Sequence, residues 1–358
     1  MSVEASATPL RHIPSLDGLR ACSFLLVFVA HAGLDDFVPG GFGVTVFFFL
    51  SGYLITTLMR AEFERNGAVN LKHFWIRRAL RILPPFYLVL AIGAAAAWLF
   101  APASMSLAGM LAQALHVTNY WIIYRGYDGF PAGAGTGVYW SLAIEEHFYL
   151  LFPFIYIAMC RGRLTGRQQA LVFWGICALV LIWRCMLVYV YHASTDRTYM
   201  GTDTRVDSIL FGCALAVWHN PILDRERLSE GRWKYCYLPA CVAVILITFL
   251  WRGEEYRETF RYSMQGAALT PLFAAAMRYP KWLIFRPLNW RPLVFLGVLS
   301  YSTYLIHFGV ITATQYLLPR QMPALVGVTA LALTVFLAWL IYRGIERPCA
   351  RLRKRLTD

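Results

Sequence analysis

The sequence has little charge, and its uncharged stretches are long. Of its 358 residues, 15% are charged and 58% are hydrophobic, whereas a soluble globular protein is nearer half apolar. Many windows of about 20 residues hold few or no charges, which is long enough to cross a bilayer. The lack of charge excludes an ordinary soluble domain and predicts a single integral-membrane domain over 1–358, with the lipid bilayer as its surroundings.

Metal-binding and nucleotide-binding patterns are also lacking. The eight cysteines include no C-x-x-C pair, and none falls in a segment that we assign below to the outer side, so neither a metal site nor disulfides are expected. The net charge of +13 is explained by lysines and arginines that set membrane topology. The sequence therefore predicts no permanently bound cofactor and no nucleic-acid partner.

Ten hydrophobic segments predict an all-α, polytopic membrane helix bundle of about ten transmembrane helices. They are 16–35, 41–59, 82–101, 139–160, 168–191, 205–219, 235–251, 262–277, 293–317 and 323–345. We expect the last helix to stop at Glu346-Arg347-Pro348 with an interfacial ion pair, and 346–358 to form a basic cytoplasmic tail.

Charge counting decides whether an eleventh segment, 106–124, crosses the membrane. If it does not cross, the cytoplasmic segments hold 25 of the 33 lysines and arginines, and if it does, they hold 15. The positive-inside rule favours the first arrangement, with both termini cytoplasmic. Segment 106–124 is then expected to be a re-entrant or interfacial helix on the outer face.

The first hydrophobic segment contains Arg20 and His31, eleven residues apart. At about 100° per residue this spacing brings both side chains to one helix face, about 16 Å apart along the axis. Ionisable groups within a membrane normally face a protein interior or a wet cavity. The alternative is that Arg20 snorkels to the headgroups and His31 caps the helix. The glycines after Pro39 allow a tight turn into the second helix, whose free N–H groups would lie near His31 and could bind an oxyanion. The alternative is a plain turn with close helix packing at Gly52.

Two arginines before the third span share a helix face. Arg78 and Arg81 are three residues apart, and their forked guanidinium groups suit phosphates that arrive from the cytoplasm. Ordinary positive-inside anchoring is the alternative. Both readings place the pair at the cytoplasmic membrane surface.

The fourth span begins with Tyr139, Trp140 and Ser141 and carries Glu145, Glu146 and a histidine as three consecutive residues. A buried carboxylate needs a partner. We expect Glu145 to pair with His31, since both lie in the outer half, and to fix the tautomer of that histidine. A structural salt bridge to an arginine of another span is the alternative.

Two later spans also carry polar side chains. We expect Arg205 to pair with Asp207 or with Glu145 and so to line an outer vestibule, the alternative being a solvated loop end. Ser300, Tyr304 and His307 fall at i, i+4 and i+7, which is one helix stripe. The stripe would serve either interhelical hydrogen bonding or the lining of a substrate channel.

Taken in order, these segments resemble the integral-membrane acyltransferase-3 family, the sugar O-acetyltransferases of bacterial cell surfaces. The matching segments are Ser15 to Arg20 with His31, Gly41 to Tyr53, Phe74 to Arg81, Tyr139 to Tyr149, Thr204 to Asp207, Leu299 to His307 and Glu346 to Pro348. The resemblance implies a multi-pass protein of the bacterial cytoplasmic (inner) membrane. Because thirteen residues follow the last predicted span, we expect the form without an appended periplasmic esterase-like domain.

The resemblance implies transfer of an acyl group, acetyl first of all, from cytoplasmic acyl-CoA to a hydroxyl of a cell-surface or lipid-linked saccharide such as O-antigen, lipopolysaccharide or exopolysaccharide. Acetyl-CoA would be a co-substrate. The expected catalytic residues are His31 as base, Glu145 and Arg20, and an acetyl-histidine intermediate is a second route. Residues expected at the acyl-CoA are Arg78, Arg81, Tyr304 and His307, and those at the saccharide are Trp140, Ser141, Arg205 and Asp207.

Two other functions fit the same residues. One is acylation of a soluble small molecule such as a macrolide or a glycoside, by the same chemistry. The other is a secondary transporter whose intramembrane histidine, carboxylate and arginine side chains form a relay. The sequence shows no internal repeat of the kind that many transporters have.

Overall fold

The computed structural model describes residues 13–100, 102, 105–127, 135–226, 228–318 and 322–357, and these residues form helices and no strand. The prediction of an all-α polytopic bundle is confirmed. The helices are α1 Pro14–Leu34, α2 Gly40–Asn66, α3 Leu71–Phe100, α4 Leu107–Ala114, α5 Thr118–Arg125, α6 Trp140–Arg161, α7 Gly166–Tyr189, α8 Thr195–Met200, α9 Thr202–Val217, α10 Glu230–Leu250, α11 Glu254–Glu258, α12 Phe260–Arg278, α13 Arg291–Val298, α14 Ser300–Leu317 and α15 Pro323–Thr357.

In the described part of the chain, seven helices are long and apolar enough to cross a membrane, namely α1, α2, α3, α6, α7, α10 and α15. The bent pair α13 and α14, which the sequence predicts as one span over 293–317, makes an eighth if it is counted as one. Its two helices meet at an angle of 78°. Predicted spans 205–219 and 262–277 are the helices α9 and α12. The 16 residues of α9 rise about 24 Å, less than the apolar thickness of about 30 Å, so the count of ten stays a prediction.

Three boundaries differ from the sequence prediction. Segment 106–124 forms two short helices, α4 and α5, and neither is long enough to cross. Helix α3 begins at Leu71, so Arg78 and Arg81 lie within it. The expected helix stop after Glu346 is wrong. A π turn over Tyr342–Glu346 leads into further helix, because a local change of hydrogen-bond register accommodates the N–H that Pro348 lacks.

Helix α2 packs backbone to backbone against α9. A Cβ atom on Gly52 would stand 2.0 Å from the carbonyl oxygen of Ile209, and one on Gly212 would stand 2.0 Å from that of Phe49. Any side chain at either glycine would therefore force the two helices apart. Small residues at helix interfaces of membrane proteins allow this close approach, which places α2 at the centre of the bundle.

A buried ion pair ties α7, α9 and α12 together. Arg184 Nη2 lies 2.7 Å from Asp207 Oδ2, and both side chains are fully buried. The guanidinium also donates to Ser263 Oγ at 2.6 Å, to the carbonyl of Thr259 at 3.1 Å and to the carbonyl of Thr204. Each charge therefore has partners inside the bundle, which is the condition for burying it.

Removing one member of this pair should be strongly destabilising. We expect Arg184→Met to lower the free energy of unfolding by about 3–5 kcal/mol, because Asp207 is then buried without a counter-charge. The double variant Arg184→Met with Asp207→Leu should recover part of the loss. The free energies of unfolding of the wild type, the single variant and the double variant are measured in detergent by tryptophan fluorescence.

The half-exposed pair of Arg197 and Asp203, 2.5 Å apart, provides the matched control. Arg197→Met should cost about 1 kcal/mol or less, since exposed pairs contribute little. Equal losses in Arg184→Met and Arg197→Met would contradict the role given to the buried pair.

Candidate active site

Two cavities lie side by side in the bundle. The first, which we call the basic cavity, has a volume of about 90 Å³ and is lined by three arginines and two glutamates from three different helices. These residues are Arg20, Arg78, Arg81, Glu145 and Glu146. The cavity is narrow, so it suits a slender chain rather than a ring.

The second cavity, which we call the wide cavity, has a volume of about 900 Å³. His31 lies in its wall together with Gly40 and Gly41 at the start of α2. Aromatic and charged side chains make up much of the remaining wall, including Trp140, Tyr199, Tyr262, Asp35, Asp196, Glu258 and Arg257. A wall of this composition offers both stacking faces and hydrogen-bonding groups to a polar ligand.

The two cavities meet at Val44 and Tyr304, which line both. Ser141 Oγ lies 2.7 Å from the hydroxyl of Tyr304 and donates to the carbonyl of Val138 at 3.1 Å. The hydroxyl of Tyr304 lies 3.4 Å from the same carbonyl, so either hydroxyl can donate to the other. This hydrogen bond links α14 to α6 at the place where the two cavities meet.

Hydrogen bonds and ring contacts hold the basic cavity in shape. The hydroxyl groups of Ser51 and Tyr149 are hydrogen-bonded to each other, and the guanidinium of Arg78 lies 5.7 Å from the ring centre of Tyr149. Arg20 lies 3.8 Å from Asp17, one helix turn earlier. Sequence reasoning missed Ser51 and Tyr149, although both fall inside the segments that carry the family resemblance.

His31 is bound to another histidine. Its Nδ1 atom lies 2.8 Å from His307 Nε2. His307 is fully buried, and its own Nδ1 atom lies 2.7 Å from the carbonyl oxygen of Tyr304. The polar stripe expected on α14 is therefore divided. Ser300 and Tyr304 line the basic cavity, whereas His307 supports the histidine of the wide cavity.

The predicted pairing of His31 with Glu145 is wrong. Glu145 lies five residues into α6 from Trp140, about 7.5 Å further along the axis, and it lines the basic cavity with the arginines. The alternative, a carboxylate among arginines of other spans, fits its surroundings. Arg20 and His31 also line different cavities, which agrees with their expected separation of about 16 Å along the axis of α1.

The predicted pairing of Arg205 is wrong as well. Asp207 binds Arg184, and the guanidinium of Arg205 lies 3.9 Å from the ring centre of Tyr262, donating to the carbonyl of Tyr199 at 3.2 Å and to Thr45 Oγ1 at 3.1 Å. Arg205 and Asp207 are fully buried. Neither residue lines the basic or the wide cavity, and their expected contact with a saccharide stays a prediction.

Comparison with known proteins gives a consistent assignment. A family model described as an acyltransferase domain, that of the acyltransferase-3 family, matches residues 13–343. The peptidoglycan O-acetyltransferase OatA of Listeria monocytogenes is 32% identical over 358 residues, covering 94% of this chain and 56% of the relative. The O-acetyltransferase OatA of Staphylococcus aureus is 30% identical over 346 residues, covering 94% of this chain and 57% of the relative.

The chain thus spans somewhat more than half the length of these curated relatives. No solved structure matches it. The match over residues 13–343, on a bundle of apolar helices with a histidine and an arginine cluster inside, identifies the chain as a member of the acyltransferase-3 family.

Proposed function

We propose that this protein is a membrane O-acyltransferase that moves an acyl group, acetyl first of all, from acyl-CoA to a hydroxyl of a cell-envelope saccharide. Membership of the acyltransferase-3 family and the O-acetyltransferase relatives support the reaction class. The observation that carries the proposal is the meeting of a narrow arginine-lined cavity with a wide cavity that holds a histidine, at Tyr304.

The basic cavity is proposed as the donor site. Forked guanidinium groups bind phosphate oxygens in pairs, and Arg20, Arg78 and Arg81 all line this cavity. Its narrow bore suits the thin arm that joins the phosphates of acyl-CoA to the thioester. The positive-inside rule supports entry of the donor from the cytoplasm, with both termini on that side.

The wide cavity is proposed as the acceptor site. It is about ten times larger than the basic cavity, so it has room for a sugar ring. The aromatic faces of Trp140, Tyr199 and Tyr262 and the nearby charged groups match a ligand that has both C–H faces and hydroxyls. Because one relative is named for peptidoglycan, we propose an envelope saccharide of that class as the first acceptor to test.

The proposed chemistry is one balanced transfer. When the hydrogen bond between Ser141 and Tyr304 opens, the thioester reaches the wide cavity. His31 takes the proton of an acceptor hydroxyl, and the hydroxyl oxygen bonds to the thioester carbon. The bond from carbon to sulfur then breaks, and the CoA thiolate takes the proton back from His31. At the start of α2 the N–H groups of Gly40 and Phe42 already donate to the carbonyls of Val38 and Pro39, so we propose that the N–H of Gly41, which lines the cavity, stabilises the oxyanion that forms in between.

Acceptor-dependent release of CoA is the direct test of this function. Purified protein in detergent, given radiolabelled acetyl-CoA, should release free CoA and form a labelled ester when a soluble peptidoglycan fragment is added. Labelled ester on a macrolide or a small glycoside instead would favour the soluble-acceptor hypothesis. Solute uptake into vesicles without CoA release would contradict the enzyme and favour a transporter.

His31 should be indispensable for transfer. We expect His31→Ala to abolish acetyl transfer while the protein is still inserted and monodisperse in detergent, because the alanine cannot take the acceptor proton. His73→Ala is the control, since His73 lies near the start of α3 and outside the wall of both cavities. Wild-type turnover by His31→Ala would remove this residue as the base.

The two arginines of α3 should act on the donor. Arg78→Ala with Arg81→Ala should raise the KM for acetyl-CoA by about tenfold or more, since each charge-assisted hydrogen bond contributes about 1.5–3 kcal/mol. The KM for the acceptor should change little. Arg77→Ala is the matched control, because Arg77 is the adjacent residue but donates to Glu62 at 2.8 Å. Equal effects on both KM values would contradict a phosphate-binding role.

A further inference from the structure

The contact between His31 and His307 is an in-plane hydrogen bond. The two ring planes are 11° from parallel and the ring centres are 5.1 Å apart, while the nearest nitrogens are 2.8 Å apart. The difference between these distances equals about two ring radii, so both nitrogens lie on the line that joins the centres. The rings are therefore nearly coplanar and bonded edge to edge.

The carbonyl of Tyr304 sets the direction of the hydrogen bonds in this group. A carbonyl oxygen can only accept, and it lies 2.7 Å from His307 Nδ1. The proton on His307 must therefore be on Nδ1. The direction of this hydrogen bond does not depend on the conformation of the Tyr304 side chain, because the carbonyl belongs to the backbone of α14.

His307 carries one proton rather than two. Its side chain is fully buried, with the rings of Phe24 and Phe28 centred 5.9 and 6.5 Å from its own. Its two nitrogens face a carbonyl and another imidazole. No carboxylate hydrogen-bonds to His307 among the described residues, and an unpaired cation in such a place would be costly. With Nδ1 protonated, His307 Nε2 is a bare acceptor.

The same reasoning determines which nitrogen of His31 carries the proton. Because His307 Nε2 accepts, the proton between the rings belongs to His31 Nδ1. A neutral imidazole has one protonated nitrogen, so His31 Nε2 carries the lone pair. His31 lines the wide cavity and donates from Nδ1 into the bundle, so the bare nitrogen is the one left for a ligand.

We propose that His307 is the positioning residue of the site. Through the carbonyl of Tyr304 it holds His31 as the Nδ1–H tautomer and so presents Nε2 as the proton acceptor. In many hydrolases a carboxylate fixes the tautomer of the catalytic histidine, and here a neutral imidazole backed by a main-chain carbonyl takes that place. The role of Nε2 as base rests on the proposed function, but the tautomer itself does not.

Solid-state NMR of the wild-type protein in lipid bilayers tests the tautomer directly. With all histidines labelled with 15N, the signals of His31 are assigned by their loss in His31→Ala. Above neutral pH we expect a protonated Nδ1 and an unprotonated Nε2 at His31, with coupling across the bond from His31 Nδ1–H to His307 Nε2. A protonated Nε2 at His31, or a mixture of tautomers, would overturn the proposal.

Kinetics of two variants at position 307 test the consequence. His307→Ala should lower kcat by about tenfold or more while the KM for acetyl-CoA stays within twofold, since the base is misoriented but the donor site is intact. His307→Gln keeps an acceptor oxygen and should restore most of kcat and the Nδ1–H signal of His31. Equal kcat in the alanine and glutamine variants would count against a tautomer role.

A packing control separates this role from a structural one. Thr303→Val changes a fully buried neighbour whose hydroxyl binds the carbonyl of Ser300 at 3.0 Å, and it should leave both kcat and the His31 spectrum unchanged. A shifted His31 spectrum in Thr303→Val would show that the site responds to packing alone. If the tautomer is found as expected but His31→Ala is fully active, the proposed reaction is wrong. The hydrogen bonds from His31 through His307 to the carbonyl of Tyr304 are then still confirmed.

Discussion

A charge inside a membrane bundle is stable only where the protein replaces the water it has lost, and this constraint organises the molecule. Arg184 meets the condition with Asp207 and with carbonyl and hydroxyl groups. Arg205 meets it with the faces of Tyr262, Tyr199 and Phe48. The contacts of these two arginines hold neighbouring helices together.

The arginines around the basic cavity have a different environment. Arg20, Arg78 and Arg81 are half-buried around the basic cavity, with Glu145 and Glu146 between them. Arg20 pairs with Asp17 at 3.8 Å, so Arg78 and Arg81 are the two arginines of this cavity that we expect to bind an anion. In our account that anion is the phosphate part of acyl-CoA.

The separation of the two cavities has a chemical consequence. In our account the basic cavity holds acyl-CoA, a thioester that water can hydrolyse, and the wide cavity holds the acceptor, so the two substrates meet only where Val44 and Tyr304 line both cavities. Tyr304 also contributes the carbonyl that orients His307. This one residue of α14 thus lines both cavities and, through its main-chain carbonyl, orients His307.

Local spacing in the sequence was enough to find several parts of this site. Arg78 and Arg81 were placed together by their i, i+3 spacing, and charge counting indicated that 106–124 does not cross as one helix. Ser141 and Tyr304 were singled out from polar positions in apolar helices. These inferences succeed because each depends on one helix and its surroundings.

The same reasoning could not predict which residues of different helices pair with each other. Glu145 and Arg205 were given the wrong partners, because the choice depends on which helices pack together and at what depth. The π turn after Val29 and the bend between α13 and α14 have no hydropathy signal. His307 falls on the polar stripe of its helix, but its bond to His31 joins residues 276 positions apart.

A structure of the protein with a non-hydrolysable acyl-CoA analogue would test the central claim most directly. Our account predicts the phosphates at Arg78 and Arg81, the arm in the basic cavity and the acyl carbon at the junction of Val44 and Tyr304, facing His31. An analogue bound outside the basic cavity, or one whose acyl end points away from that junction, would contradict it.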